Sequence, residues 1–157
     1  MTFRFVVTAI VLSSSLIISG CIGSQRGYEG ISRAPEEIAV VKGSGSPTDE
    51  RILIDVADGK SFNPSVTEVE VLPGQRKLTV RYVDMAGCFL CLNLKTYSYS
   101  EVVVFDAKAG HTYQFHGEGS WEDRPEPIEL RLIDTETNEV VWQTEIDSNR
   151  PTYIITN

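Results

Sequence analysis

An all-β fold, an antiparallel β-sandwich or open barrel of about eight short strands, is what this sequence predicts. Three observations carry the prediction. Short runs alternate apolar and polar residues. Turn-forming residues separate them. No stretch after residue 20 holds a sustained apolar stripe at helical period.

The strands are taken in order. Glu37 to Lys42 is β-branched and predicts a first strand, followed by a loop at Gly43 to Pro47. Arg51 to Val56 alternates with Ile52, Ile54 and Val56 on one face, and Asp58-Gly59 signals a turn. Phe62 returns toward the core before Pro64 interrupts. Thr67, Val69 and Val71 then form one face, with Val66, Glu68 and Glu70 on the other. Leu72-Pro73-Gly74-Gln75 is a strong turn signal. Pro73 presets φ near −65° and Gly74 supplies the positive φ of a type II turn. Arg76 to Val83 places Leu78, Val80 and Tyr82 inward. The expectation is a hairpin across Pro73-Gly74, with Glu68 and Glu70 facing Lys77, Thr79 or Arg81.

The stretch Asp84 to Leu94 breaks the alternation, carries Cys88 and Cys91, and has room for one short helix. Thr96 to Phe105 is β-rich, and Ala107 to Gly110 predicts a turn. Thr112 to His116 turns Tyr113 and Phe115 inward, and Gly117 to Pro127 reads as a polar loop with Trp121. Glu126 to Asp134 sets Ile128, Leu130 and Leu132 on one face. Thr135 to Asn138 is a hairpin loop, Glu139 to Trp142 returns, and Tyr153-Ile154-Ile155 can pair at an edge.

The N-terminus is of a different kind. Arg4 precedes an apolar run from Phe5 to Ile18 that suits a signal-peptide core and is short for a membrane span. Ser19 and Gly20 are small, as a cleavage site needs, and Cys21 offers the thiol that would accept a lipid. Ile18-Ser19-Gly20-Cys21 resembles the lipobox of bacterial lipoproteins. The resemblance implies diacylglyceryl transfer to Cys21, cleavage before it and N-acylation of the new amino group. Ile22 in place of Asp implies, by the sorting rule of that family, an outer-membrane destination facing the periplasm. The organisation expected is a signal peptide at 1–20, a lipidated Cys21 with a flexible tether at 21–36, and a β-domain at 37–157. Within the tether, Tyr28-Glu29-Gly30 is the part expected to dock on the domain.

A second resemblance concerns the domain. Val69 to Val80 is similar to the strand–turn–strand unit of small envelope β-sandwich modules. Ala109 to Tyr113 and Asp134 to Thr137 resemble turns of small Gram-negative envelope lipoproteins. These motifs are turn chemistry, so they imply a fold and carry no active-site residues.

Charge narrows the partners. The chain carries −8, and without residues 1–20, which contain Arg4 and no acid, it carries −9. The acids are dispersed, so nucleic acid is not expected as a partner. Such a domain is also not expected to lie flat on anionic lipid, which leaves membrane affinity to the acyl chains on Cys21.

Candidate chemistry is sparse. If lipid consumes Cys21, Cys88 and Cys91 remain, and an even pair in an oxidising compartment points first to a disulfide. A redox C-x-x-C would want a βαβ frame that is missing here. A metal site would need more ligands than His111 and His116, which are well separated. No cofactor or metal is expected. His111 reads as a turn residue making hydrogen bonds. Asp134 and Asn138 read as hairpin-loop residues, since a calcium loop needs a denser ligand pattern. Tyr97, Tyr99 and Trp121 raise a glycan-binding platform, against core or cross-strand packing. The leading expectation is therefore a non-enzymatic, lipid-anchored envelope module with a protein or glycan partner. A thiol-redox or metal-handling protein using Cys88 and Cys91 is the alternative, and a glycan-binding module is a third.

Overall fold

The computed structural model describes residues 24–45, 51–86, 95–118 and 127–146, with backbone alone at 84–86 and 95–97. These residues form eleven strands and one turn of 3-10 helix at Pro35–Glu37, in two sheets packed face to face. The strands are β1 (Gln25–Arg26), β2 (Ala39–Lys42), β3 (Ser44–Gly45), β4 (Arg51–Ala57), β5 (Lys60–Val66) and β6 (Glu68–Val71). They continue with β7 (Gly74–Ala86), β8 (Lys95–Ala107), β9 (Thr112–Glu118), β10 (Ile128–Asp134) and β11 (Glu139–Ile146). The three strands beyond the expected eight are β1, β3 and β5.

One sheet has the order β1-β6-β2-β9-β10-β11; the other runs β3-β4-β7-β8, with β5 also paired to β4. The second sheet is antiparallel throughout. The first is mixed, because β1 pairs β6 and β2 pairs β9 in parallel. Parallel neighbours cannot be joined by a tight turn. Between β2 and β9 the chain builds the whole second sheet, and then returns.

Alternation places the core where the sequence predicts it for most strands. Ile52, Ile54, Val69, Val71, Leu78, Val80, Tyr82, Tyr113, Phe115, Ile128, Leu130 and Leu132 are all buried between the sheets. Trp142 packs on this core and meets Phe115 edge-on, ring centres 6.4 Å apart. In β4 a bulge between Ile54 and Val56 shifts the register. Ala57 therefore turns into the core, and Val56 is only half-buried. Pro64 does not end its strand; β5 passes through it at the margin of the sheet, where a missing N–H costs no ladder bond.

The Pro73-Gly74 turn is not a hairpin. Gly74 does adopt positive φ (96°), but β6 lies in one sheet and β7 in the other. The turn is an arch across the sandwich, so Val69 and Leu78 line the same core from different sheets. Glu68 and Glu70 accordingly do not face Lys77, Thr79 or Arg81. Glu68 lies 3.6 Å from Lys42, and Arg81 pairs with Asp55 at 2.9 Å.

Crossovers also set the close contacts. At Gly43 the chain leaves the first sheet for the second, and its N–H bonds Thr67 O at 2.8 Å, where the chain crosses back. A Cβ on Gly43 would sit 2.0 Å from Ile52 O, so only glycine fits.

The expected tether at 21–36 is corrected from Ser24 onward. Gln25 and Arg26 add a parallel strand beside Val69 and Glu70. Ser24 Oγ donates to Glu70 at 2.6 Å, and Gly27 N–H donates to Glu70 O at 2.8 Å. Tyr28 is buried, as expected of a docking residue, and donates to Glu70 at 3.3 Å. The glycines in 23–30 suggest a loose linker. Gly27 is instead required by packing, since a Cβ there would lie 2.9 Å from Ala57 Cβ.

Candidate functional site

Among the described residues, two of the places that gather polar groups lie beside crossovers and turns. The first is a cluster at the end of the sandwich where β8 crosses to β9 and β10 turns into β11. The second is the N-terminal margin beside β1.

The first is centred on Asp134. Ile128, Leu130, Leu132 and Asp134 share one face of β10, so the alternation that buries the three apolar residues also buries the carboxylate, whose residue is 0% exposed. A buried charge needs partners, and several converge. His111 Nδ1 lies 2.8 and 3.1 Å from the two carboxylate oxygens, which makes Nδ1 the protonated nitrogen. Glu136 N–H donates to Oδ1 at 3.0 Å, and Lys108 Nζ lies 3.8 Å away. Burial pushes the Asp134 carboxyl up. The His111 and Glu136 hydrogen bonds and the charges of His111 and Lys108 outweigh that, and hold it below the ordinary carboxylate range.

Tyr113 completes the cluster. Its ring meets Phe105 edge-on at 5.0 Å, stacks near His111, and its hydroxyl accepts the Lys108 N–H at 2.8 Å. Burial raises its phenol above the usual value. The Lys108 hydrogen bond opposes this, while the charges of Asp134, Asp106 and Glu139 add to it. Around these side chains, Gly110 N–H bonds Ile38 O, Val40 N–H bonds His111 O, and Thr135 N–H bonds Thr112 O. The cluster thus ties the β8–β9 crossover to β2 and to the β10–β11 hairpin.

A carboxylate orienting an imidazole is also a general-base arrangement. No hydroxyl or thiol bonds His111 among the described residues, and the nearby Thr135 hydroxyl donates to Thr112 O. The hydrogen bonds of the cluster lock the β8–β9 crossover to the β10–β11 hairpin. His111 does make the hydrogen bonds expected of it. Asp134 is corrected from a loop residue to a buried strand end, while Asn138 is in the hairpin loop at positive φ (58°). The alternation of β10, carried one step beyond Leu132, is the signal that would have found Asp134.

The second place is a cleft of about 470 Å³ lined by Gly27, Tyr28, Glu29, Asp58, Gly59, Lys60 and Arg76. Asp58 and Gly59 both take positive φ (48° and 87°), as a two-residue hairpin turn with right-handed strand twist requires. Asp58 is fixed by Arg76 and by the Lys77 N–H, each at 2.9 Å. Lys60 Nζ donates to Arg26 O at 2.7 Å and so closes the cleft against β1.

The other expected residues separate. His116 is exposed on β9 and lies apart from the Asp134 cluster, and no metal-binding cluster occurs among the described residues. Tyr99 is half-buried against the core, which favours packing for that ring over a sugar platform. Cys21, Cys88, Cys91 and Trp121, the side chain of Tyr97, the signal peptide and Tyr153 to Ile155 lie outside the described residues. So does most of the stretch that has room for a short helix; β7 runs on to Ala86. Comparison with protein-family models, curated proteins and solved structures finds no match to this chain.

Proposed function

We propose that this chain is a lipoprotein of the cell envelope, held in the outer membrane by acyl chains on Cys21. Its β-sandwich serves as a non-enzymatic interaction module facing the periplasm. The observation that carries the reading is Ile18-Ser19-Gly20-Cys21 at the end of a short basic and apolar leader, directly before a folded domain. Ser24, the first described residue, is already bonded to the sandwich, so cleavage before Cys21 would leave the domain whole. Support for an interaction role comes from β8. Among the described residues it is paired on one side only, and it exposes Val102 and Val104 by 47% and 45%. Where β11 does not approach it, a strand paired on one side can accept an added strand from a partner.

The test is metabolic labelling with radioactive palmitate and membrane fractionation of the unsubstituted chain and a Cys21→Ser variant. Label and outer-membrane fractionation in the first, and loss of label and of processing in the second, are expected. A Cys21→Ser chain that is still cleaved, labelled and membrane-bound contradicts the reading.

A further inference from the structure

We infer that the segment Thr152 to Thr156 of this chain lies along the open margin of β8 as an added parallel strand, so that a partner binding at that edge must displace it. The displacement rests on the interaction-module reading; the strand itself does not. The margin in question is the side of the sandwich where β8 and β11 end their sheets. Its apolar side chains are the least covered. Apart from Ile31, the exposed large apolar residues described are Val102 and Val104 on β8 and Val140 on β11. Of the half-buried apolar residues that pack on the core, Tyr99, Val141 and Trp142 lie on the same two strands. Main-chain cover is missing as well. Among the described residues β8 pairs with β7 from Lys95 to Ala107 and with no strand on its other side. Alternate amides of β8 therefore point away from β7.

The path of the chain leads from β11 to this margin. Lys108, next after β8, has its Nζ 4.0 Å from Glu139 at the start of β11. At the other end, Thr144 lies beside Leu130 and Leu130 beside Gly117. Gly117 rests on the Tyr82 ring, and Tyr82 pairs with Tyr99. So β11 starts level with the end of β8 and runs back toward its beginning. Ile146 is buried where β11 ends, and residues 147–157, which follow it, lie outside the described residues. A chain that turns back from Ile146 runs in the direction of β8. Parallel neighbours need a long crossover, and β9, β10 and β11 supply it, as the second sheet does between β2 and β9.

The sequence that follows Ile146 suits the place. Asp147-Ser148-Asn149-Arg150-Pro151 is rich in turn formers. Such a connector spans about 17 Å at full extension, more than the roughly 10 Å between packed sheets. Thr152-Tyr153-Ile154-Ile155-Thr156 is wholly β-branched or aromatic. It carries no charged side chain, so the acidic domain does not repel it. As a strand it sets Tyr153 and Ile155 on one face and Thr152, Ile154 and Thr156 on the other. The first face would close over Tyr99 and Trp142. The second would extend the outer surface, with Ile154 beside Val102 and Val104. The short connector favours this occupant over a free strand, since it holds the segment at an effective concentration on the order of millimolar.

The experiment is NMR of the full chain in detergent micelles, read residue by residue. In the unsubstituted chain, nuclear Overhauser contacts between 152–156 and Ser98 to Val104 are expected, with slow amide exchange throughout Ser98 to Phe105. The comparison is a chain carrying Ile154→Pro and Ile155→Pro together. Strand N–H groups alternate in side, so one of two adjacent prolines removes a ladder bond whatever the register. Protection at alternate β8 amides should be lost in that variant. Tyr113, Phe115 and Leu130 should stay protected in both chains, which reads the integrity of the sandwich separately. Absence of the contacts in the unsubstituted chain overturns the strand, whatever the variant does. If its alternate β8 amides also exchange fast, the edge offered to a partner still stands. If those amides are slow in both chains without the contacts, the strand and the open edge are overturned together. Protection that weakens as the protein is diluted overturns the strand in favour of a second copy.

Discussion

Replacing Asp134 by Asn should lower stability by about 2 kcal/mol near neutral pH, and the loss should shrink in acid. The carboxylate is fully buried, and both its oxygens are used: His111 Nδ1–H approaches them at 2.8 and 3.1 Å, and Glu136 N–H reaches Oδ1 at 3.0 Å. Asn keeps the size and one acceptor but removes the charge that Lys108 and His111 face. One hydrogen bond to a charged group contributes about 1.5–3 kcal/mol, which sets the figure. Ala would leave both donors without their partner and should cost about 3–5 kcal/mol. The sign in acid follows from the direction of the shift. A carboxyl held below its unfolded value stabilises the fold fully above that value, near pH 4, and ceases to do so as pH falls through the folded value. The gap between native and Asp134→Asn should therefore be widest at neutral pH, begin to narrow as pH falls through about 4, and go on narrowing until the folded carboxyl is protonated. Urea unfolding followed by Trp142 fluorescence measures it, since that ring packs on the core against Phe115. Equal midpoints for the two chains at pH 7, or a gap that persists unchanged at pH 3, would refute the lock.

Four further outcomes follow from the same structure. Tyr113 carries a raised phenol, so deprotonation of the unfolded chain above about pH 10 should draw stability away; Tyr113→Phe should flatten that alkaline limb in the same urea assay. Gly43→Ala forces a Cβ to within 2.0 Å of Ile52 O, a main-chain atom that cannot swing aside. It should cost about 3 kcal/mol or more, read as poor soluble yield and a lowered urea midpoint. Gly117→Ala meets Tyr82 Cε2 at 2.9 Å, a side-chain contact that can yield, and should cost less. Glu70→Ala removes the acceptor shared by Ser24 and Tyr28. Trypsin should then cut at Arg26 and Arg33 markedly faster, with the urea midpoint moving by only about 1 kcal/mol equivalent.

The all-β class and most core residues were legible because burial in a strand follows a period of two, and Ile52, Leu78, Tyr82, Phe115 and Leu130 obey it. Sheet membership was not. Whether Pro73-Gly74 closes a hairpin or an arch leaves the alternation on both sides unchanged. A strand's inward residues face the same core from either sheet. The parallel pairing of β2 with β9 was hidden for a related reason, since it depends on the return of the chain after about seventy residues and not on local turn chemistry. Asp134 was missed because its residue type outweighed its position: an acid beside a Thr-Glu-Thr-Asn loop was assigned to the loop. The docking of Tyr28 was expected, but that of Ser24 to Gly27 escaped because Gly27 and Gly30 read as linker glycines. One is fixed by the approach of Ala57, and the other by the turn beneath Ile31.

Anchoring through Cys21, with the domain close behind it, is the claim on which the functional reading stands. Intact-mass measurement of the chain extracted from its own membranes tests it most directly. The expected species begins at Cys21 and carries a diacylglyceryl group and an N-linked acyl chain. A chain that retains residues 1–20, or one that begins at or after Cys21 with no acyl mass, would contradict it.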